Sequence, residues 1–219
     1  MLPKARGQTR CLRSGYDARM KRIAFALTAT LALAAAPASF AQGPAVGQIL
    51  VSSPELADPN FAQSVLLILF HEDDIGTAAV MINRPTWVDP QQTFPEIPAL
   101  ANYEGPLYLG GPVAPTDVWT VLEAQAVAEF EEVRPITSSL AASMGTDILA
   151  ALDLTAVGAP RVRIFAGHAE WGPGQLAREL QQNNWRLLPA RPEYVFSSDP
   201  ADLWNSLPQT ASFVTASLD

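Results

Sequence analysis

The stretch "SVLLILFHEDDIGTAAVMIN", Ser64 to Asn83, decides the fold class. Ser64 to Phe70 is almost continuously apolar, so both faces of the segment need cover, which marks a central buried strand and not a solvated edge. "HEDDIGT" then gathers three acids into a tip, and "AAVMIN" returns, which predicts a hairpin whose acids stand in solvent.

Outward from this hairpin, Gly47 to Ser53 ("GQILVSS") reads as a short strand. "PELADPNFAQ" (54–63) reads as a turn or a single helical turn carrying Asp58. On the other side, Arg84 to Pro106 holds five prolines and little periodicity, predicting a long surface loop of the kind that tends to carry function. "PLYLGGPV" and "DVWTVLE" read as strands around a tight Gly110-Gly111-Pro112 turn. "AVAEFEEVRPIT" (126–137) fits extended chain because of Pro135, although Phe130 and Val133 also fit a helix. "SMGTDILAALDL" (143–154) reads as a helix starting near Thr146 or Asp147, with Ile148, Leu149 and Leu152 on one face. Strands interspersed with helices and no internal repeat indicate an α+β domain.

The segment "GHAEWGPGQLARELQQNNW", Gly167 to Trp185, is the richest in chemistry. "RVRIFAG" enters it as a strand, and Pro173-Gly174 breaks that strand. Leu176 and Leu180, at i and i+4, then turn an apolar helix face inward while Arg178, Glu179 and Gln182 face water. The corner is predicted to be strand, turn, helix, closed by Asn183-Asn184. A helix start behind glycine can bind an anion, but the glycine spacing and lysine of a phosphate-cradling loop are missing.

The N-terminal part stands apart. Lys21 and Arg22 form a basic region, Ile23 to Ala36 an apolar run of 14 residues, and Ser39-Phe40-Ala41 a small-x-small cleavage site. The run is shorter than the roughly 18–20 residues that cross a bilayer. The expectation is an upstream segment and signal peptide over 1–41, with the peptide itself from Met20 to Ala41, and a domain over 42–219. It places the protein in the periplasm or outside the cell, with no membrane anchor after cleavage.

The remaining chain carries seven arginines, no lysine and 21 acids, a formal charge of −14. Nucleic-acid binding needs clustered Lys/Arg to displace counterions, so no direct nucleic-acid contact is expected. Cys11, the only cysteine, lies upstream of Met20, which leaves the domain without disulfides, thiolate catalysis or cysteine-ligated metal. His168-Ala169-Glu170 has the H-x-E spacing of zinc deaminases but lacks their cysteines. No G-x-S-x-G elbow occurs. No cofactor or metal is expected, and Trp171, Trp185 and Trp204 are read as core fillers.

"GQILVSSPELADPNFAQSVLLILFHEDDIGTAAVMINRP" (47–85), "YLGGPV" (108–113), the Gly167–Trp185 corner and "DLW" (202–204) occur in an order that resembles the YqgE/AlgH family of bacterial proteins. The resemblance implies one α+β domain with a bifurcated, partly barrel-like mixed sheet surrounded by helices. It implies no established activity, although the AlgH branch carries a transcriptional-regulator label. Among matching positions, Asp58, His71, Asn83, Arg84, Gly110, Gly111, Trp171 and Gln175 are candidate binding residues. His168 stands where the family commonly has an aromatic, Glu170 where it has a small residue, and Glu123 where a histidine often follows the Val-Leu pair. The family is usually cytosolic, which is the alternative compartment here.

Two functions are compatible with these residues. The first is a non-enzymatic regulatory or binding module for a protein or small-molecule partner, with Asn83-Arg84-Pro85 either presenting donors to it or stapling the loop to the sheet. The alternative is a hydrolase-like or metal-assisted enzyme using His71 and Asp58 with His168 or Glu170. It requires these groups to converge within about 3 Å of a shared point.

Overall fold

The computed structural model describes residues 43–208, apart from 127–129, 131–132, 145–146, 153 and 155. The expected signal peptide lies outside the described residues, as does part of the "AVAEFEEV" segment.

The hairpin forms as expected. Strands β2 (Val65–Glu72) and β3 (Gly76–Met81) pair antiparallel from Leu66↔Met81 to Glu72↔Gly76, with Leu69 bulged out between Ile68 and Phe70. Residues 73–75 form the exposed tip. Val65, Leu67 and Leu69 pack into one apolar cluster, whereas Leu66 and Ile68 pack into another on the opposite face. Each such side chain contributes about 1.5–3 kcal/mol of burial, which explains why the strand is apolar at consecutive positions.

Strand β1 (Gln48–Ser52) joins β2, and β9 (Trp185–Pro189) joins β1. The long strand β8 (Val162–Trp171) pairs with β3 through Ala169, Glu170 and Trp171. Earlier in its length, β8 takes β4 (Leu107–Leu109) alongside in parallel and β5 (Val113–Glu123) antiparallel. β7 (Leu140–Met144) and β6 (Arg134–Pro135) extend the β5 side. The order β6-β7-β5-β8-β3-β2-β1-β9, with β4 against β8, is a mixed sheet that divides at β8 and curls into a half-barrel.

Helices are few and short among the described residues. They are α1 (Pro90–Thr93), α2 (Asp147–Ala151), α3 (Gln175–Gln181), α4 (Pro192–Val195) and α5 (Leu203–Ser206). The helix expected over 143–154 is shorter than its pattern, because Ser143 and Met144 belong to β7. The concave face of the sheet holds Ile49, Leu67, Val80, Tyr108, Val121 and Phe165 under Val195, Leu203 and Trp204. On the convex side, α3 and the 54–63 turn cover Leu66, Met81 and Trp171, while α2 and the proline-rich segment cover Val118, Leu122 and Ile164. That segment, expected as surface loop, instead buries Phe94 and Leu100 and contains α1 and a 3-10 turn over Pro98–Asn102.

Gly110-Gly111-Pro112 corrects a second expectation. β4 and β5 both pair with β8 and not with one another, so the segment crosses the β8 backbone and is not the expected tight turn. A Cβ on Gly110 would sit 2.1 Å from the Gly167 carbonyl oxygen, and one on Gly111 2.1 Å from the His168 carbonyl carbon. Only glycine permits that approach. On the other side of the crossing, Gly167 has φ +69°.

Gly167 also reverses the alternation of β8. Before it, Phe165 faces the concave cluster and Ile164 the convex side; after it, Ala169 and Trp171 face the convex side. The β5 partner is irregular at the same place, where Ala114 to Asp117 bulge opposite Gly167. A bulge shifts the two-residue period by one, which sends His168 and Glu170 to the concave face.

Candidate functional site

With α4 and α5 covering part of its apolar interior, the half-barrel keeps an open mouth, a cleft of about 630 Å³. β2 contributes Leu69, Phe70 and Glu72, β3 Ala78, β5 Trp119, β7 Ala142 and Met144, and β8 His168 and Glu170; Arg134 and Ile136 complete it. Direct cross-strand partners share a face, so the register rows Phe70–Ala78–Glu170 and Met144–Trp119–Phe165 bring these side chains to the concave side.

The lining is mainly apolar, and its charges divide by position. Glu72 and Glu170 lie on the β2–β3–β8 wall, and Arg134 lies beyond β7 on the other. All three are exposed. Between them, the Trp119 and His168 rings meet edge to face, with centroids 5.8 Å apart. Trp119 Nε1 and His168 Nδ1 are closed off from solvent and have no hydrogen-bond partner. His168 Nε2 lies 3.9 Å from a Glu170 oxygen, beyond hydrogen-bond length. An unpaired buried polar group costs roughly 1–3 kcal/mol, and here two fall in adjoining rings.

None of the candidate binding residues named from the sequence lines this cleft; of the groups weighed for the hydrolytic alternative, His168 and Glu170 do. Asp58 is exposed and caps its own turn, accepting from the Asn60 N–H at 2.9 Å. Buried Asn83 accepts from Val65 N and donates to Gln63 O, both at 2.9 Å, and Arg84 Nη2 donates to Ala62 O. These two residues staple the 61–64 turn to the sheet. Gly110 and Gly111 serve the crossing over β8. Trp171 Nε1 donates to Glu179 Oε2 at 3.0 Å, Trp185 Nε1 to the same oxygen at 2.7 Å, and Gln175 Nε2 to Glu179 Oε1 at 2.9 Å. Glu179, expected to face water, therefore joins two indoles and an amide on the convex side.

His71 bonds Thr77 Oγ1 through Nδ1 at 2.7 Å, with Nε2 3.4 Å from Asp73. It shares the row His71–Thr77–Trp171, so the two histidines stand on opposite faces of the sheet. The convergence of His71 with His168 that the hydrolytic reading needs is not formed. No group of three or more His, Cys, Asp or Glu able to hold a metal occurs among the described residues.

Sequence reading missed Trp119, Arg134 and Glu72 altogether, and it considered His168 and Glu170 only as possible catalysts. The available signal was Gly167, an isolated glycine inside a strand pattern, which marks a bulge. A shallower depression of about 620 Å³ runs along the proline-rich segment. Thr86, Asp89 and Tyr103 in its lining all have hydrogen-bond partners. Burial raises the pKa of Tyr103, and that of Tyr108 beside it. Arg163, whose own pKa burial lowers, lies 4.6 Å over the Tyr108 ring and donates to Ile82 O and Ser197 O. These groups hold β8 in place.

The AlgH-like family model matches residues 49–213. A UPF0301 protein of Streptomyces coelicolor is 36% identical over 162 residues, covering 74% of this chain and 83% of the relative. One from Burkholderia vietnamiensis is 33% identical over 159 residues, covering 71% and 81%. Among solved structures, a crystal structure of a Corynebacterium diphtheriae protein aligns with TM-score 0.61 at 30% identity, covering 75% of this chain and 86% of that one. The solution structure of the AlgH protein from Pseudomonas aeruginosa aligns with TM-score 0.59 at 28% identity, covering 75% and 88%. The chain belongs to the AlgH-like family.

Proposed function

We propose that this AlgH-like protein is a non-enzymatic binding module whose small ligand occupies the mouth of the half-barrel. The observation that carries this reading is the pair of buried, unpartnered nitrogens, Trp119 Nε1 and His168 Nδ1, in the wall of a mainly apolar cleft of about 630 Å³. Ligand sites have this character: an apolar enclosure of roughly 300–1,000 Å³ with a few polar groups that fix orientation. Because both nitrogens are shut off from solvent, a ligand reaches them only when the Trp119 ring turns. The bond then formed offsets the cost of the unpaired state.

NMR titration with indole and octanoate as apolar probes tests this. Together the Trp119 indole N–H and the His168 ring resonances should shift, and Trp119→Phe should abolish the response. Shifts confined to the depression beside Trp87, or none at Trp119 with any probe, would overturn the reading. A hydrolytic function has less support, since His71 and His168 face opposite ways. We also infer from the Met20–Ala41 segment that the domain works outside the cytosol. An intact mass beginning at Gln42 supports export, and an uncleaved cytosolic chain refutes it.

A further inference from the structure

The charges at the mouth of the half-barrel indicate which chemistry suits it. Two carboxylates, Glu72 and Glu170, edge one wall and a single guanidinium, Arg134, edges the other. Between the walls lies apolar surface including Leu69, Ile136 and Ala142. A phosphate-bearing ligand would need more than one cation, and a fatty acid with its carboxylate at Arg134 would leave both glutamates against its apolar tail. A sugar would leave its hydroxyls against methyl groups.

We propose that the cleft takes short zwitterionic peptides with apolar side chains, the ammonium end at Glu72 and Glu170 and the carboxylate end at Arg134. This rests on the cleft being the ligand site. The two orphaned ring nitrogens fit the same ligand. Trp119 Nε1 can only donate, and imidazole Nδ1 accepts when Nε2 carries the proton, as the Glu170 carboxylate 3.9 Å away favours. A donor and an acceptor in adjoining rings match the C=O and N–H of one residue in an extended peptide, which point to the same side.

The test is calorimetry with free alanyl-leucyl-alanine, its N-acetylated form and its C-amidated form, with octanoate and indole as comparison probes and the Trp119 indole N–H resonance locating each. Blocking either end should weaken binding roughly three- to tenfold. The double variant Glu72→Gln/Glu170→Gln should remove the effect of N-acetylation alone, and Arg134→Gln that of C-amidation alone; all three positions are exposed, so these variants keep the fold. Equal binding of free and blocked peptides would overturn the proposal, as would octanoate outcompeting the peptide at Trp119. If no probe of any kind moves the Trp119 signal, the assignment of the cleft itself falls, which is a separate result.

Discussion

His168 and Trp171 are three residues apart on one strand, yet their rings are treated in opposite ways. On the convex side, Trp171 stacks with Phe61 at 6.1 Å and meets Trp185 edge-on at 5.8 Å, and both indole N–H groups end on Glu179. On the concave side, His168 and Trp119 also meet edge-on, at nearly the same separation, but neither inward nitrogen has a partner. Similar aromatic geometry thus makes a satisfied corner in one place and an unsatisfied mouth in the other. The difference lies in the carboxylate. Glu179 is brought down onto its rings by α3, whereas Glu170 extends outward with 61% of its side chain exposed.

This contrast can be broken at several points. Trp171→Ala should cost most, about 3–5 kcal/mol of unfolding free energy in urea, because it removes a buried indole from a packed corner. Glu179→Leu should cost roughly 1–3 kcal/mol in the same assay, since it strands two indole donors; a neutral result would mean that the corner is held by packing alone. Gly167→Ala should destabilise by roughly 1–3 kcal/mol, because φ is +69° and the new Cβ would stand 2.7 Å from Gly111 O. It should also perturb His168 NMR signals, since the reversal of β8 depends on that glycine.

Trp119→Phe should stay within about 1 kcal/mol of the parent, in either direction, because the lost ring area is balanced by removal of an unpaired donor. A loss as large as that of Trp171→Ala would make the mouth a structural feature like the corner. The smallest effect is expected at Glu123, which pairs with Arg161 at 2.8 Å. The Arg161 backbone N–H, with further help from its guanidinium, holds the Glu123 carboxyl below its ordinary 4.5. A depressed carboxyl stabilises fully above that ordinary value, and the contribution is lost as pH falls through the folded-state value. With both side chains part-exposed it amounts to under about 1 kcal/mol. Comparing urea midpoints of Glu123→Gln and parent at pH 7 and pH 3 should show the gap closing at the lower pH.

Much of the frame was legible locally. The apolar run 64–70, its acidic tip and the returning strand are neighbours in sequence, and so are Pro173-Gly174 and the Leu176/Leu180 pair that place α3. The proline-rich segment was harder, because its two buried anchors, Phe94 and Leu100, have no periodic companions. The sequence allows Asn83 and Arg84 to be either ligand donors or staples, and the choice depends on where the 61–64 carbonyls lie.

The sequence by itself determined the central buried strand, the α+β class, the corner and the likeness to a family, because each is written in contiguous residues whose spacing states which face is apolar. Only the tertiary structure decided where the cleft lies. Its polar groups come from positions 72, 119, 134, 168 and 170 on four strands, and no local pattern connects them. Tertiary structure also decided which way His168 faces. Continued alternation along β8 would have put it beside Ile164 and Ala166, but the close passage of Gly110-Gly111 holds Gly167 at positive φ, and that single bulge turns the next residue into the half-barrel.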